Sequence, residues 1–129
     1  MKRILLTLMM LLLIPASSWA QQWVTANQIS VAWDPVSVSS GVVSYKTYTK
    51  PAAGGVETFF STVTTTTATI TFTVEGRYFL GVQTVRTLDG TELLSTIAWS
   101  NNPADCRGGV TFGAQYYIPP AAPGGMRTP

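Results

Sequence analysis

The chain contains no histidine, which removes imidazole acid-base catalysis, histidine-activated nucleophiles and imidazole metal ligation from its chemistry. Six carboxylates remain: Asp34, Glu57, Glu75, Asp89, Glu92 and Asp105. A two-carboxylate glycosidase needs a pair about 5 to 10 Å apart in a cleft. Here Asp34 and Asp89 stand next to Pro35 and Gly90 as turn residues, and the other four read as solvated surface or loop. Asp89 and Glu92 lie near each other, but no acidic loop with calcium-binding spacing surrounds them. Cys106 is the single cysteine, with no base partner and no CxxC or CxxCH spacing for redox, zinc or haem. Gly108-Gly109 is followed by Val110 rather than Lys-Ser/Thr, so it is not a phosphate-binding loop. The expectation is a non-enzyme with no catalytic, cofactor-binding or metal-ligating residues.

Binding surface is the chemistry that remains. Tyr48, Phe59 or Phe60, Phe79, Trp99, Tyr116 and Tyr117 are more aromatic side chains than one small core readily hides. Exposed aromatic rings favour contacts with proteins or glycans. The alternative is that some of them pack beneath the C-terminal tail, where each fully buried ring is worth roughly 2 to 3 kcal/mol. The candidate contact residues are Tyr48, Phe79, Trp99, Cys106, Tyr116 and Tyr117.

Strands must position these groups. In Gly76 to Asn102, Tyr78, Leu80, Val82 and Thr84 share one face of a period-two strand, and Arg77, Phe79, Gly81 and Gln83 share the other, the pattern of a strand with one buried face. Asp89-Gly90 supplies the positive backbone angles of a tight hairpin, so the chain reverses and pairs through Thr91 to Ser100. Upstream, Ile29, Val31 and Trp33 alternate until Pro35, which has no amide hydrogen to donate. Residues 42–50 form a strand with Val43, Tyr45 and Thr47 on one face and Tyr48 on the other, between Lys46 and Lys50. Pro51 to Gly55 is a turn, and Val56 to Val63 the next strand. From Ala68 to Val74 every even residue is apolar and every odd one is Thr, the pattern of β-branched residues facing water while Ile70 and Phe72 face a core. Gln21 to Ala26 is a short edge segment carrying Trp23 and Val24, and Val110 to Ile118 forms a further edge strand.

The N-terminus has a different character. Lys2 and Arg3 precede an apolar run from Ile4 to Ile14, followed by Pro15 and the small-residue sequence Ala16-Ser17-Ser18-Trp19-Ala20. This is a secretory signal peptide with cleavage expected after Ala20. Its apolar run covers about half of the ~20 residues a membrane-crossing helix needs. The protein is therefore expected outside the cytoplasm, periplasmic or extracellular, with no membrane span once the leader is removed. The formal charge of +2 arises from eight basic and six acidic residues; without Lys2 and Arg3 the counts are six and six. That balance excludes a nucleic-acid partner recognised by net charge. In an oxidising compartment an odd cysteine has two readings, a disulfide-linked oligomer through Cys106 or a simply unmodified thiol.

Strands at roughly ten-residue spacing, separated by Gly, Pro and Asp turns, predict an all-β chain, an antiparallel Ig-like β-sandwich of about seven strands. From Val24 to Asn102 the chain resembles a fibronectin type III domain of bacterial secreted proteins. The likeness is carried by Trp33-Asp34-Pro35, Val43-Ser44-Tyr45-Lys46-Thr47, the Gly76 to Val85 strand with Tyr78, the Asp89-Gly90 turn and Trp99-Ser100-Asn101. It implies that Trp33 and Tyr45 pack in the core with Ile70, Phe72, Tyr78, Leu80 and Val82. The chain departs from the family in a shorter Phe72 to Tyr78 segment, with Val74 where a Leu is common, and in a longer, more apolar Asp89 to Ser100. The tail Pro119-Pro120-Ala121-Ala122-Pro123-Gly124-Gly125 is similar to the linkers of tandem arrays, and the resemblance implies a single-module member.

The expected organisation is a leader at 1–20, a sandwich at 21–102, a loop with an added edge strand at 103–118 and an extended tail at 119–129. The expected role is a protein-interaction or adhesion module, contacting another envelope or secreted protein through edge strands and the C-terminal aromatic segment. A carbohydrate-binding accessory using a strip of Tyr48, Phe79 and Trp99 is the alternative. N-terminal sequencing of the protein recovered from the secreted fraction checks the compartment, and its first residue is expected to be Gln21; an N-terminus at Met1 rules the leader out.

Overall fold

The Asp89-Gly90 step turns the chain as its composition requires. Both residues have positive φ, 51° and 78°, which matches the right-handed twist of the strands they join. These strands are β6 (Gly76–Leu88) and β7 (Thr91–Trp99), with Leu88 opposite Thr91. The computed structural model containing this hairpin describes residues 21–129; the expected leader lies outside the described residues.

β6 is the axis of a six-stranded sheet. On one side it pairs with β3 (Val42–Pro51) over ten residues, from Val42 opposite Thr87 to Pro51 opposite Tyr78. Beyond β3 lies β4 (Thr58–Val63), with Phe60 as an extra residue in the register. The other side of β6 is divided. β7 covers Gly81 to Leu88, and β8 (Phe112–Tyr116) covers Gly76 to Tyr78. β1 (Gln22–Thr25) closes that flank by running parallel to β8, with Trp23 opposite Gly113. β2 (Gln28–Ala32) and β5 (Thr67–Thr71) form a separate antiparallel pair, with Ile29 opposite Ile70.

The chain is all-β, as its alternation predicts. Eight strands occur among the described residues rather than about seven. Ile29, Val31, Ile70 and Phe72 from the small sheet and its exit meet Leu80 and Ala114 from the large one in a single buried cluster. Trp33, Tyr78, Phe112 and Tyr116 pack around that cluster, and the Phe72 and Tyr78 rings stack 4.8 Å apart. Tyr45, which the family likeness places in the core, is buried, and so is Thr47 on the same face of β3. Val74, by contrast, is 68% exposed because β5 ends at Thr71 and the alternation does not continue past Phe72.

Two expectations about strand environment are corrected. β8 is an inner strand between β1 and β6, not an edge, and Ala114 on it belongs to the core. Nor has β6 only one covered face: Gly81, Gln83 and Val85 are buried although they point away from the core. In a central strand, cross-strand side chains from both neighbours roof the outer face as well.

Ser100 joins the two half-strands on the divided edge. Its amide donates to the Leu80 carbonyl at 2.8 Å, and its carbonyl accepts from Phe112 at 2.9 Å. Its hydroxyl accepts the Leu80 amide at 2.9 Å. Two 3-10 turns, Pro103–Asp105 and Arg107–Gly109, carry the chain out and back between these contacts. An unsatisfied buried amide costs about 1 to 3 kcal/mol. Ser100→Ala is therefore expected to lower stability by about that amount, read as a reduced urea midpoint with an unchanged slope.

Candidate functional site

The odd residues of β6 face away from the small sheet, and the register gathers a set of side chains around them. Lys50 of β3 lies opposite Phe79, while Tyr48 and Trp99 flank Gly81 from either side. Gln115 lies opposite Arg77, and on the neighbouring strand Trp23 lies opposite Gly113. Directly opposite residues share a face and approach within about 5 Å. The outer face of the large sheet thus collects Trp23, Tyr48, Phe79 and Trp99 from four strands, and Phe59 joins from a fifth, opposite Tyr48.

Two glycines make the arrangement possible. A Cβ on Gly81 would stand 2.7 Å from Cζ3 of Trp99 and 2.8 Å from Cγ2 of Ile97, and one on Gly113 would stand 2.5 Å from Cζ3 of Trp23. The missing side chains let both indoles settle against the backbone. Across Gly113 the Trp23 ring reaches Phe79, with centroids 5.6 Å apart and planes inclined by 28°. Across Gly81 the Lys50 Nζ reaches the Trp99 ring at 4.1 Å. Arg77 Cζ lies 5.0 Å from the Trp23 ring, and Tyr48 meets Phe59 edge-on at 5.9 Å.

Polar contacts hold the rings in place. The Tyr48 hydroxyl donates to Gln83 Oε1 at 2.8 Å, and Gln83 Nε2 donates to the Ser95 carbonyl at 2.8 Å. The Ser95 hydroxyl accepts the Thr84 amide where the β6–β7 register slips by one residue. Lys46 pairs with Glu92 at 3.2 Å on the same face.

The structure brings together Tyr48, Phe79 and Trp99 from the sequence-derived candidates. Tyr116 instead packs on the core. Tyr117 is 54% exposed and follows the end of β8. The tail at 119–129 is exposed throughout; of the outer rings Phe59 is exposed and Trp23, Tyr48, Phe79 and Trp99 are half-buried. Trp23, Lys50 and Arg77 were not among the candidates. The signal that points to them is glycine inside otherwise bulky strands, which marks a close approach by something else.

Cys106 lies elsewhere, beside a cleft of about 380 Å³ between the end of β2 and the large sheet, lined among others by Val31, Trp33, Val82, Ala98 and Phe112. Its thiol donates to the Ser100 carbonyl at 3.3 Å. Burial, and secondarily the Asp105 carboxylate, push the thiol above its ordinary range. The carboxylates are dispersed in structural contacts: Asp34 pairs with Arg107 at 2.6 Å, Asp105 accepts the Trp99 amide at 3.0 Å, and Glu75 accepts the Ile118 amide. Among the described residues no three of His, Cys, Asp and Glu cluster closely enough to hold a metal ion.

No family model, curated protein or solved structure matches this chain. Its function is therefore argued from the geometry above.

The raised thiol predicts slow alkylation. The thiolate is the reactive form, so at pH 8 Cys106 is expected to react with iodoacetamide more slowly than cysteine in an unfolded control. The inflection of its rate against pH is expected to lie on the alkaline side of the control's. A coincident or lower inflection rules out the burial argument.

Proposed function

We propose that the protein is a non-enzymatic binding and adhesion module of the cell envelope or extracellular space, and that it meets its partner through the outer face of the large sheet. One observation carries the reading: five aromatic rings from five strands, with two cations set against the tryptophans, share one face that no other element covers among the described residues. A solvent-facing sheet surface ordinarily alternates to polar residues; aromatic side chains held in fixed orientations there suit recognition.

The proposed scaffold is a fibronectin-III-like sandwich. The pairing of β2 with β5 against a sheet containing β3, β6 and β7 fits that architecture. The Tyr78 hydroxyl, which donates to the Val74 carbonyl at 2.6 Å, resembles the corner contact of such domains. The C-terminal aromatic segment becomes a secondary contact at most in this reading, since Tyr116 is drawn inward. A covalent dimer through Cys106 requires the thiol to leave the Ser100 carbonyl, and non-reducing gels of the parent and Cys106→Ser report it directly.

The glycan reading is favoured by the two tryptophans of the face, which lie close to the backbone over Gly113 and Gly81.

The test is affinity capture from the host's envelope and secreted fractions, using the protein recovered after expression of the full chain. Tyr48→Ala and Trp99→Ala are expected to reduce the captured material roughly ten-fold or more, as central aromatic contacts do. Thr71→Ala, exposed on β5 of the small sheet, is expected to leave it unchanged. Equal capture by parent and both face variants, with all proteins folded by circular dichroism, removes the outer face as the contact surface.

A further inference from the structure

We infer that the outer face of the large sheet binds an acidic polysaccharide, with its aromatic rings against the apolar faces of successive sugars and Arg77 and Lys50 against their carboxylates. The inference rests on the reading of this face as the contact surface and adds the chemical class of its ligand.

Charge is the first reason. On this face Lys46 is matched by Glu92 at 3.2 Å. Lys50 and Arg77 have no carboxylate partner among the described residues. Two cations of this face are therefore free of ion pairs, on a protein whose residues after the leader are balanced, six basic against six acidic. Cations so placed can meet an anionic ligand without making the whole molecule basic.

The second reason is that Arg77 is already oriented. Its Nε donates to Gln115 Oε1 at 3.2 Å, and Gln115 Nε2 donates in turn to Thr25 Oγ1 at 2.6 Å. Its Cζ lies 5.0 Å from the Trp23 ring. These contacts hold the guanidinium while engaging only Nε, which leaves the two Nη groups for the two-point grip on a carboxylate that arginine forms best. Lys50, 4.1 Å from the Trp99 ring centroid, places a second cation beside a second stacking surface. Each tryptophan thus comes with its own cation, the pairing a uronic acid needs, with its apolar ring face and carboxylate on one unit.

Shape and length are the third. Trp23 on β1 and Phe59 on β4 mark the ends of the row, and the strand order between them is β1, β8, β6, β3, β4. At about 4.8 Å between neighbouring strands the row extends roughly 19 Å, which suits an oligomer better than a single sugar. The rings are held before binding, by glycine beneath the tryptophans and by Gln83 at the Tyr48 hydroxyl, so little ordering is lost on association. An acidic peptide supplies the carboxylates but not the row of flat apolar faces.

The experiment measures binding of the protein recovered from full-chain expression to polygalacturonate, to its fully methyl-esterified form, to dextran and to polyglutamate, by affinity electrophoresis and calorimetry. The expected result is binding to polygalacturonate about ten-fold or more tighter than to the other three, as charge-assisted two-point contacts imply, and weaker at higher salt. Arg77→Gln and Lys50→Gln are each expected to weaken it several-fold while the circular dichroism spectrum shows the fold retained; Trp99→Ala is expected to weaken it further. Equal affinity for polyglutamate overturns the inference by reducing it to charge. Equal affinity for the ester overturns its acidic part, and absence of binding to all four overturns it entirely. If none of the four binds while the Tyr48→Ala and Trp99→Ala proteins still lose their captured envelope material, the face remains the contact surface and only the ligand class fails.

Discussion

The structure depends on satisfying one edge of β6. This central strand presents a long row of amides and carbonyls toward the β7 side, and a buried backbone group left without a partner is costly. Neither β7 nor β8 is long enough to cover that edge alone. Ser100 bridges them by bonding both backbone groups of Leu80 and the Phe112 amide. Everything on that flank follows from the bridge: the loop around Cys106 has fixed ends, β8 can enter the sheet as an inner strand, and β1 has a partner. Trp23 and Trp99 then stand on opposite sides of the handover, one resting on Gly113 and the other on Gly81.

The outer face illustrates how a sheet can be roofed without a third layer. Gln83 and Val85 are buried there, although no strand or helix lies over them among the described residues. Large side chains from neighbouring strands fold across the two glycine gaps instead. Cation contacts of this kind are worth about 0.5 to 2 kcal/mol depending on how dry they are, and stacked aromatic pairs contribute about as much. Two cation contacts with one stacked and one edge-on aromatic pair on one face make that surface rigid. Rigidity matters for recognition, because a face that is already ordered loses little freedom when a ligand arrives.

The carboxylates are dispersed among different structural contacts. Asp34, Glu92, Asp105 and Glu75 are each committed to a different ion pair or backbone amide, and Asp89 occupies the hairpin turn. A catalytic carboxylate pair converges on one cleft with environments that separate the two acidities. The 380 Å³ cleft beside β2 has Asp34 and Asp105 among its lining residues, but one is paired with Arg107 and the other is bonded to the Trp99 amide. What the fold concentrates in one place is a set of aromatic side chains, with Lys50 and Arg77 set against its two tryptophans.

Much of this was legible in the chain alone. Alternation placed Ile70 and Phe72 inside, because side chains on a strand point alternately to either face, and the family likeness added Tyr45 and Leu80. Asp89-Gly90 marked the hairpin through backbone angles that few other pairs tolerate. The absence of histidine is a matter of composition. Tertiary structure alone decided which strands lie side by side, since that depends on contacts between residues far apart in sequence: Trp23 with Gly113, Lys50 with Trp99, and Ser100 with Leu80 and Phe112. Alternation says which residues of one strand share a face, but not which strands share a sheet. Tyr48, Phe79 and Trp99 could thus be named from sequence as aromatic residues in excess of the core. Only their pairing across Gly81, and the arrival of Trp23 over Gly113 with Arg77 beside it, made them a surface.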